Sequence, residues 1–172
     1  MKVQVSDYID VEAKALGLGY TAPTGLTILP RNFATAASAD ELVHEGTTPT
    51  VRTLLRQAGI QETRLEKEGE KFPSTRHEFW EWVGPIIFVS QTVLTNGVLP
   101  VTINVISSYI YDISKGHRHD AEVTIKFVVE TTEKTKHGEK RTCKSVEIKG
   151  SPKEIKEFDA EKLKQLVEKP GK

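Results

Sequence analysis

Residues 82–111 read WVGPIIFVSQTVLTNGVLPVTINVISSYIY, thirty positions without one charged side chain. In a chain of 172 residues of which 28% are charged, this is where the core must draw most of its material. Pro85 and Pro100 divide the run, and Asn96-Gly97 supplies a turn signal between them. Ile86 to Leu94 reads as a first helix. Pro100 opens a second, with Val105, Ile106, Tyr109, Ile110 and Ile113 along one side and Gly116 at its end. The length would suffice for a membrane span. However, Ser90, Gln91, Asn96, Thr102, Asn104 and Ser107 lie within the run, and polar amides in hydrocarbon are costly without partners. A buried helical hairpin accounts for the same pattern. A membrane-anchored accessory protein is the alternative.

Downstream, Val123, Ile125 and Phe127 alternate with Thr124 and Lys126, and Val146 and Ile148 with Glu147 and Lys149. These are two half-buried strands joined by a polar turn around His137-Gly138. Ser151-Pro152-Lys153-Glu154 has capping-box form, and Asp159 can cap a last helix with Leu163, Leu166 and Val167 inward; one bent helix over 152–168 and two pieces fit equally. Upstream the pattern is weaker. Asp7 can cap a short helix carrying Ile9, Ala13 and Leu16, stopped by Gly17 and Gly19. Leu26 to Leu29 reads as a strand broken by Pro30, and Ser38 or Asp40 starts a short helix or loop. Thr48-Pro49 starts a helix that Gly59 stops. Residues 61–76, with the charge run from Glu62 to Lys71, read as an exposed linker or mobile loop. The expected fold is α+β: a small, mostly antiparallel sheet with strands at 123–132, 141–149 and 26–29. Helices at 49–58, 86–95 and 100–114 and a C-terminal helix pack on one face. One domain spans 1–172, with a loop-rich part (1–76) and a helical hairpin, β-hairpin and terminal helix (77–168).

The charges balance, 24 Lys and Arg against 24 Asp and Glu. No bulk electrostatic term draws the chain to nucleic acid or an anionic membrane, and none opposes self-association. Cys143 is the single cysteine, so neither an intramolecular disulfide nor a thiolate metal cluster is expected, and a buried, inert thiol is. The N-terminus lacks the basic start and apolar run of a signal peptide, which points to a cytoplasmic protein.

No complete catalytic site is legible. Glu147 and Lys149, on one side of a strand, resemble the second half of the PD-(D/E)xK nuclease motif. That resemblance implies a metal-binding acid, a lysine beside the phosphate and an earlier acidic ligand, for which Asp120 is the candidate. With Phe127 roughly opposite Glu147, Asp120 falls about 23 Å along the strand from that pairing, too far to share a metal. The bland alternative is the wet side of an amphipathic strand. His117-Arg118-His119-Asp120 has the look of a metal cluster but lacks the later histidines such sites need, and reads as a hydrated basic segment after a helix. His44, Glu45 and Ser38 make no nucleophile motif, and no glycine-rich phosphate loop is present. No cofactor and no metal are therefore expected.

Phe79-Trp80-Glu81-Trp82 gathers both tryptophans. On a helix Trp80 and Trp82 diverge, so one of them is a candidate for a partner. The second helix of the uncharged run carries apolar groups around much of its circumference, more than a small sheet can cover. Trp80, Trp82, Ile103, Tyr109, Ile110 and Tyr111 are accordingly the expected interaction residues, facing a protein partner or a second copy.

Over residues 77–168 the order is an uncharged helical segment, a basic junction at Lys115-Gly116-His117-Arg118, two strands ending in Val146-Glu147-Ile148-Lys149-Gly150, and a terminal helix. This order resembles the small effector-associated components of bacterial conflict and signalling gene clusters, and uncharacterised bacterial proteins of similar length. The resemblance implies a non-enzymatic adaptor coupling an effector to a sensor, in a bacterial defence or signalling system. The N-terminal half departs from it.

Overall fold

A computed structural model describes residues 1–76, 81–116 and 121–168. Its centre is a five-stranded sheet: β1 (Lys2–Tyr8), β2 (Leu26–Leu29), β3 (Glu81–Val89), β4 (Glu122–Thr135) and β5 (Gly138–Gly150), in the spatial order β1-β5-β4-β3-β2. Three ladders are antiparallel and one, β3 with β4, is parallel. The helices are α1 (Val11–Gly17), α2 (Thr48–Gln57), α3 (Gln91–Thr95), α4 (Val98–Lys115), α5 (Pro152–Lys156) and α6 (Ala160–Glu168), with a short 3-10 turn at Ala39–Glu41. The α+β class with a mostly antiparallel sheet is as the sequence predicts.

The uncharged run folds differently from the expected helical hairpin. Its first part is strand β3, followed by the five-residue α3; only the second part, α4, is a long helix. A parallel pair of strands needs a crossover, and α3 with α4 provides the one from β3 to β4. Pro85 is tolerated inside a strand because it sits at an irregularity. The β3–β4 register shifts between Val83 and Ile86, so the missing N–H interrupts no regular ladder. Gly84 lies in the same bulge beneath Trp82, and a Cβ there would meet the indole Cζ3 at 2.8 Å. Trp82 is buried and has little room to move. Gly84→Ala is expected to cost about 1–3 kcal/mol by overpacking, read as a lower urea midpoint at unchanged slope.

A second departure is at the start of the chain. Lys2–Tyr8 is an edge strand, and the following helix begins at Val11, capped by Asp10, whose carboxylate accepts from the Ala13 N–H at 3.0 Å. Asp7 stays in the strand and caps nothing. At the far end the chain forms two helices. Ser151 and Glu154 close a capping box on α5, and Asp159 accepts from the Lys162 N–H at the start of α6.

The sheet is buried on two faces. On the first, Ile87, Phe127 and Val146 pack against Leu55 of α2, Ile103, Ile106 and Ile110 of α4, Ile155 of α5 and Leu163 of α6. On the second, Leu29, Phe88, Val128 and Cys143 meet Val11 and Ala15 of α1 together with Tyr20, Phe33, Leu42 and Leu65. With Val93 and Leu94 of α3 in the same cluster, five helices share one face as expected, while α1 and the loops after β2 cover part of the other. The part they leave open is polar and holds Lys126, Glu147 and Lys149.

Candidate interaction site

The expected interaction residues are mostly spent on the core. Trp82, Ile103 and Ile110 are buried in the first cluster and offer no surface to a partner. Tyr109 is half-buried against the same cluster. Tyr111 is covered by two lysines, with Lys115 Nζ 4.6 Å and Lys156 Nζ 4.1 Å from its ring centre. Trp80 and Phe79 lie outside the described residues. The apolar groups α4 leaves exposed, Val101 and Ile113, are 12 positions apart, about 18 Å along the helix, and form no patch. The surplus read around α4 is absorbed from several sides, by α2, α3, α5 and α6 as well as the sheet.

The exposed apolar groups that do cluster are on β1. Of six large hydrophobic side chains exposed among the described residues, Met1, Val3 and Val5 line one groove. Val3 and Val5 are two apart, so both project from the same side of the strand. Their register partners on β5, Ile148 and Val146, belong to the first core cluster. The groove, about 680 Å³, runs between β1 and α6, with Phe158 and Leu166 adding to its apolar wall and Asp7, Lys144, Lys162 and Gln165 along it.

The backbone of β1 is equally open. It pairs with β5 on one side and, among the described residues, with nothing on the other. An unpaired edge invites a further strand, and proteins guard edges with short strands, proline, bulges, mid-strand lysine or a covering segment. β1 has seven residues, no proline, a regular register, and a lysine only at its first position. The opposite edge is guarded. β2 has four residues, stops before Pro30, and is overlaid by the segment after α2, where the Thr63 N–H donates to the Leu26 carbonyl at 2.8 Å.

That overlying segment, 61–76, is the charge-rich stretch expected to be an exposed linker. It is instead pinned down. Leu65 is buried, and the His44 backbone bonds Pro73 and Thr75 at 2.8 and 3.0 Å. Glu62 and Glu66 turn inward onto Arg52 of α2. The guanidinium spans both carboxylates, with Nε 3.0 Å from each Glu62 oxygen and Nη1 2.8 Å from Glu66 Oε1. Glu66 Oε1 also meets His44 Nε2 at 2.8 Å. Burial alone would raise the Glu66 pKa, but the hydrogen bonds from His44 and Arg52 outweigh it and hold it at about 2. An ionised carboxylate only accepts, so Nε2 carries the hydrogen; Nδ1 is buried without a partner among the described residues. A histidine oriented by a glutamate has the form of a general base. Here His44 is 3% exposed, which keeps substrate from its free nitrogen, so the cluster acts as a clamp for the segment.

Glu147 and Lys149 stand on the open polar part of the second face, their charged ends 3.8 Å apart. Lys126 lies opposite Glu147, one residue from the expected partner Phe127, because the hairpin closes through a two-residue turn between Thr135 and Gly138. Asp120 and His117–His119 lie outside the described residues. Among the described residues no three His, Cys, Asp or Glu side chains converge on a metal position, and no helix is long and apolar enough to cross a membrane. Cys143 is buried, and burial, with the carboxylates Glu130 and Asp10 nearby, pushes its thiol up against a weaker opposing bond from the Val11 backbone, away from the thiolate. Set against known families, curated proteins and solved structures, the chain has no match.

Proposed function

We propose that this protein is a non-catalytic interaction module that binds an extended protein strand along the open edge of β1. An adaptor in a bacterial defence or signalling system is the setting this reading takes from the sequence resemblance, and a cytoplasmic location is what it takes from the N-terminal sequence. The observation that carries it is the coincidence at one place of an unguarded seven-residue edge and an apolar groove. Strand addition uses both features: backbone bonds along the edge give affinity, and pockets for alternate side chains give selectivity. The inward turn of the cluster of His44, Glu66 and Arg52 supports this reading over a hydrolytic one.

A photo-crosslinking residue placed at Val5 in the native host tests the site. A covalent protein adduct is expected there and not from the same probe at Val101. Adducts at Val101 with none at Val5 would move the surface back to α4. Incubation with plasmid and single-stranded DNA in magnesium or manganese tests the class. Intact DNA is expected, and cleavage abolished by Glu147→Ala would install the metal-dependent nuclease instead.

A further inference from the structure

We infer that the strand received by β1 is β1 of a second copy, paired antiparallel about a two-fold axis at Gln4; this rests on the edge being the interaction site. Antiparallel copies related by an axis through the sheet present the same faces, so opposed residues must share odd or even number. Four registers pair five residues or more. Axes at Val3 and Ser6 pair only five. An axis at Val5 sets both copies of Val3 against the partner's Asp7, in the middle of the apolar row. An axis at Gln4 pairs seven, sets Val3 against the partner's Val5 and Lys2 against the partner's Ser6, and leaves Asp7 at the end of the row beside the partner's Met1. In that register each row of the core continues across the seam. Val146 and Val5 of one copy run on into the partner's Val3 and the partner's Ile148, because Val5 already opposes Val146 and Val3 opposes Ile148 within a copy.

The pattern of β1 supports a second copy over an unrelated strand, because Val3-Gln4-Val5 is symmetric about Gln4 and matches itself when reversed. The charged side chains of β1, Lys2 and Asp7, lie on opposite faces, so in this register no like charges oppose each other: Lys2 meets the partner's Ser6 and Asp7 the partner's Met1. The chain as a whole is formally neutral, so no net repulsion opposes the approach. β1 also has the alternation its own edge asks of a guest, two valines spaced by one polar residue. The product is a continuous ten-stranded sheet.

Cysteine trapping in a Cys143→Ala background reads the register. Gln4→Cys is expected to oxidise to a disulfide-linked dimer, since the axis places it opposite itself within bridging distance. Lys2→Cys and Ser6→Cys alone are expected to stay unlinked, and their mixture to form a mixed dimer. Sedimentation across a wide concentration range is expected to show monomer and dimer, and Val5→Lys to raise the dissociation constant roughly a hundredfold, as two valines leave the seam per dimer. Circular dichroism confirms that each variant is folded. A parent chain that stays monomeric at every concentration, or a dimer in which Gln4→Cys does not link, overturns the inference. If a monomer still gives a heterologous adduct from the probe at Val5, only the choice of occupant fails; if it gives none, the edge reading fails with it.

Discussion

Arg52→Ala is expected to cost about 3–5 kcal/mol of folding stability, a large part of the ~5–15 kcal/mol a domain of this kind possesses. The cost comes from what remains. Glu62 and Glu66 are 9% and 4% exposed, and without the guanidinium two carboxylates are left in a poorly solvated site. Arg52→Lys is expected to rescue little, because one ammonium cannot fork across both carboxylates as the guanidinium does. The same network sets an acid limit. The folded-state pKa of Glu66 lies near 2, below its ordinary value of 4.5, so its contribution is present above about pH 4.5 and is lost as pH falls toward 2. Urea midpoints measured from pH 6 to pH 2.5 check both statements. The parent is expected to weaken on the acid side of 4.5, with Glu66→Gln showing less of that decline. An Arg52→Ala protein as stable as the parent would mean the segment 61–76 is not clamped as described.

Ile103→Glu is expected to unfold the protein, while Val101→Glu, two positions away on the same helix, is expected to change stability by only about 0.5 kcal/mol. Ile103 is 5% exposed within the main cluster, so its replacement buries an unpaired carboxylate at a cost of several kcal/mol. Val101 is 46% exposed and loses little. Thermal unfolding of the two variants side by side reads the difference. Equal stability would place Ile103 at a surface and restore α4 as the partner face.

The elements that the sequence predicts well are those whose local chemistry is unambiguous. Thr48-Pro49 to Gly59, Leu26–Leu29, the 123–149 hairpin and the Ser151–Glu154 capping box all carry period, cap or turn signals, and all form, although in α2 the cap position falls on Thr47, without a side-chain bond, and Thr48 lies inside the helix. The Ile86–Leu94 helix fails for a physical reason. A short continuous apolar run buried on both sides has the same composition as a buried helix, and periodicity does not separate them. Pro85 then reads as a break, because the bulge that accommodates it exists only once β4 is beside it. The Glu62–Lys71 run misleads because composition reports charge but not partners, and Arg52 meets Glu62 and Glu66 only after the chain has turned back on α2.

The site itself was partly legible. Lys2-Val3-Gln4-Val5-Ser6 alternates with period two, the signature of a strand, and that signal stands in the sequence beside the weaker cap at Asp7. What the sequence withholds is that this strand lies at an edge, that no described segment pairs with its outer side, and that α6 leaves a groove beside it. Those are properties of the strand order, set by residues 140 positions further along the chain. For the same reason the aromatic and β-branched wealth of α4 reads as surface surplus, although four neighbouring helices and the sheet consume it.

Residue-resolved amide hydrogen exchange on the full chain, dilute and concentrated, tests the use of the β1 edge most directly. Alternate amides of β1 bond to β5, and the others point outward from the sheet. The outward amides are expected to exchange quickly in dilute protein and to slow as concentration rises and the edge is paired, while the exposed side of α4 is unchanged. Outward amides that exchange equally fast at both concentrations would contradict the pairing of the edge by a second copy, and protection that falls on α4 instead would contradict the edge as the interaction site.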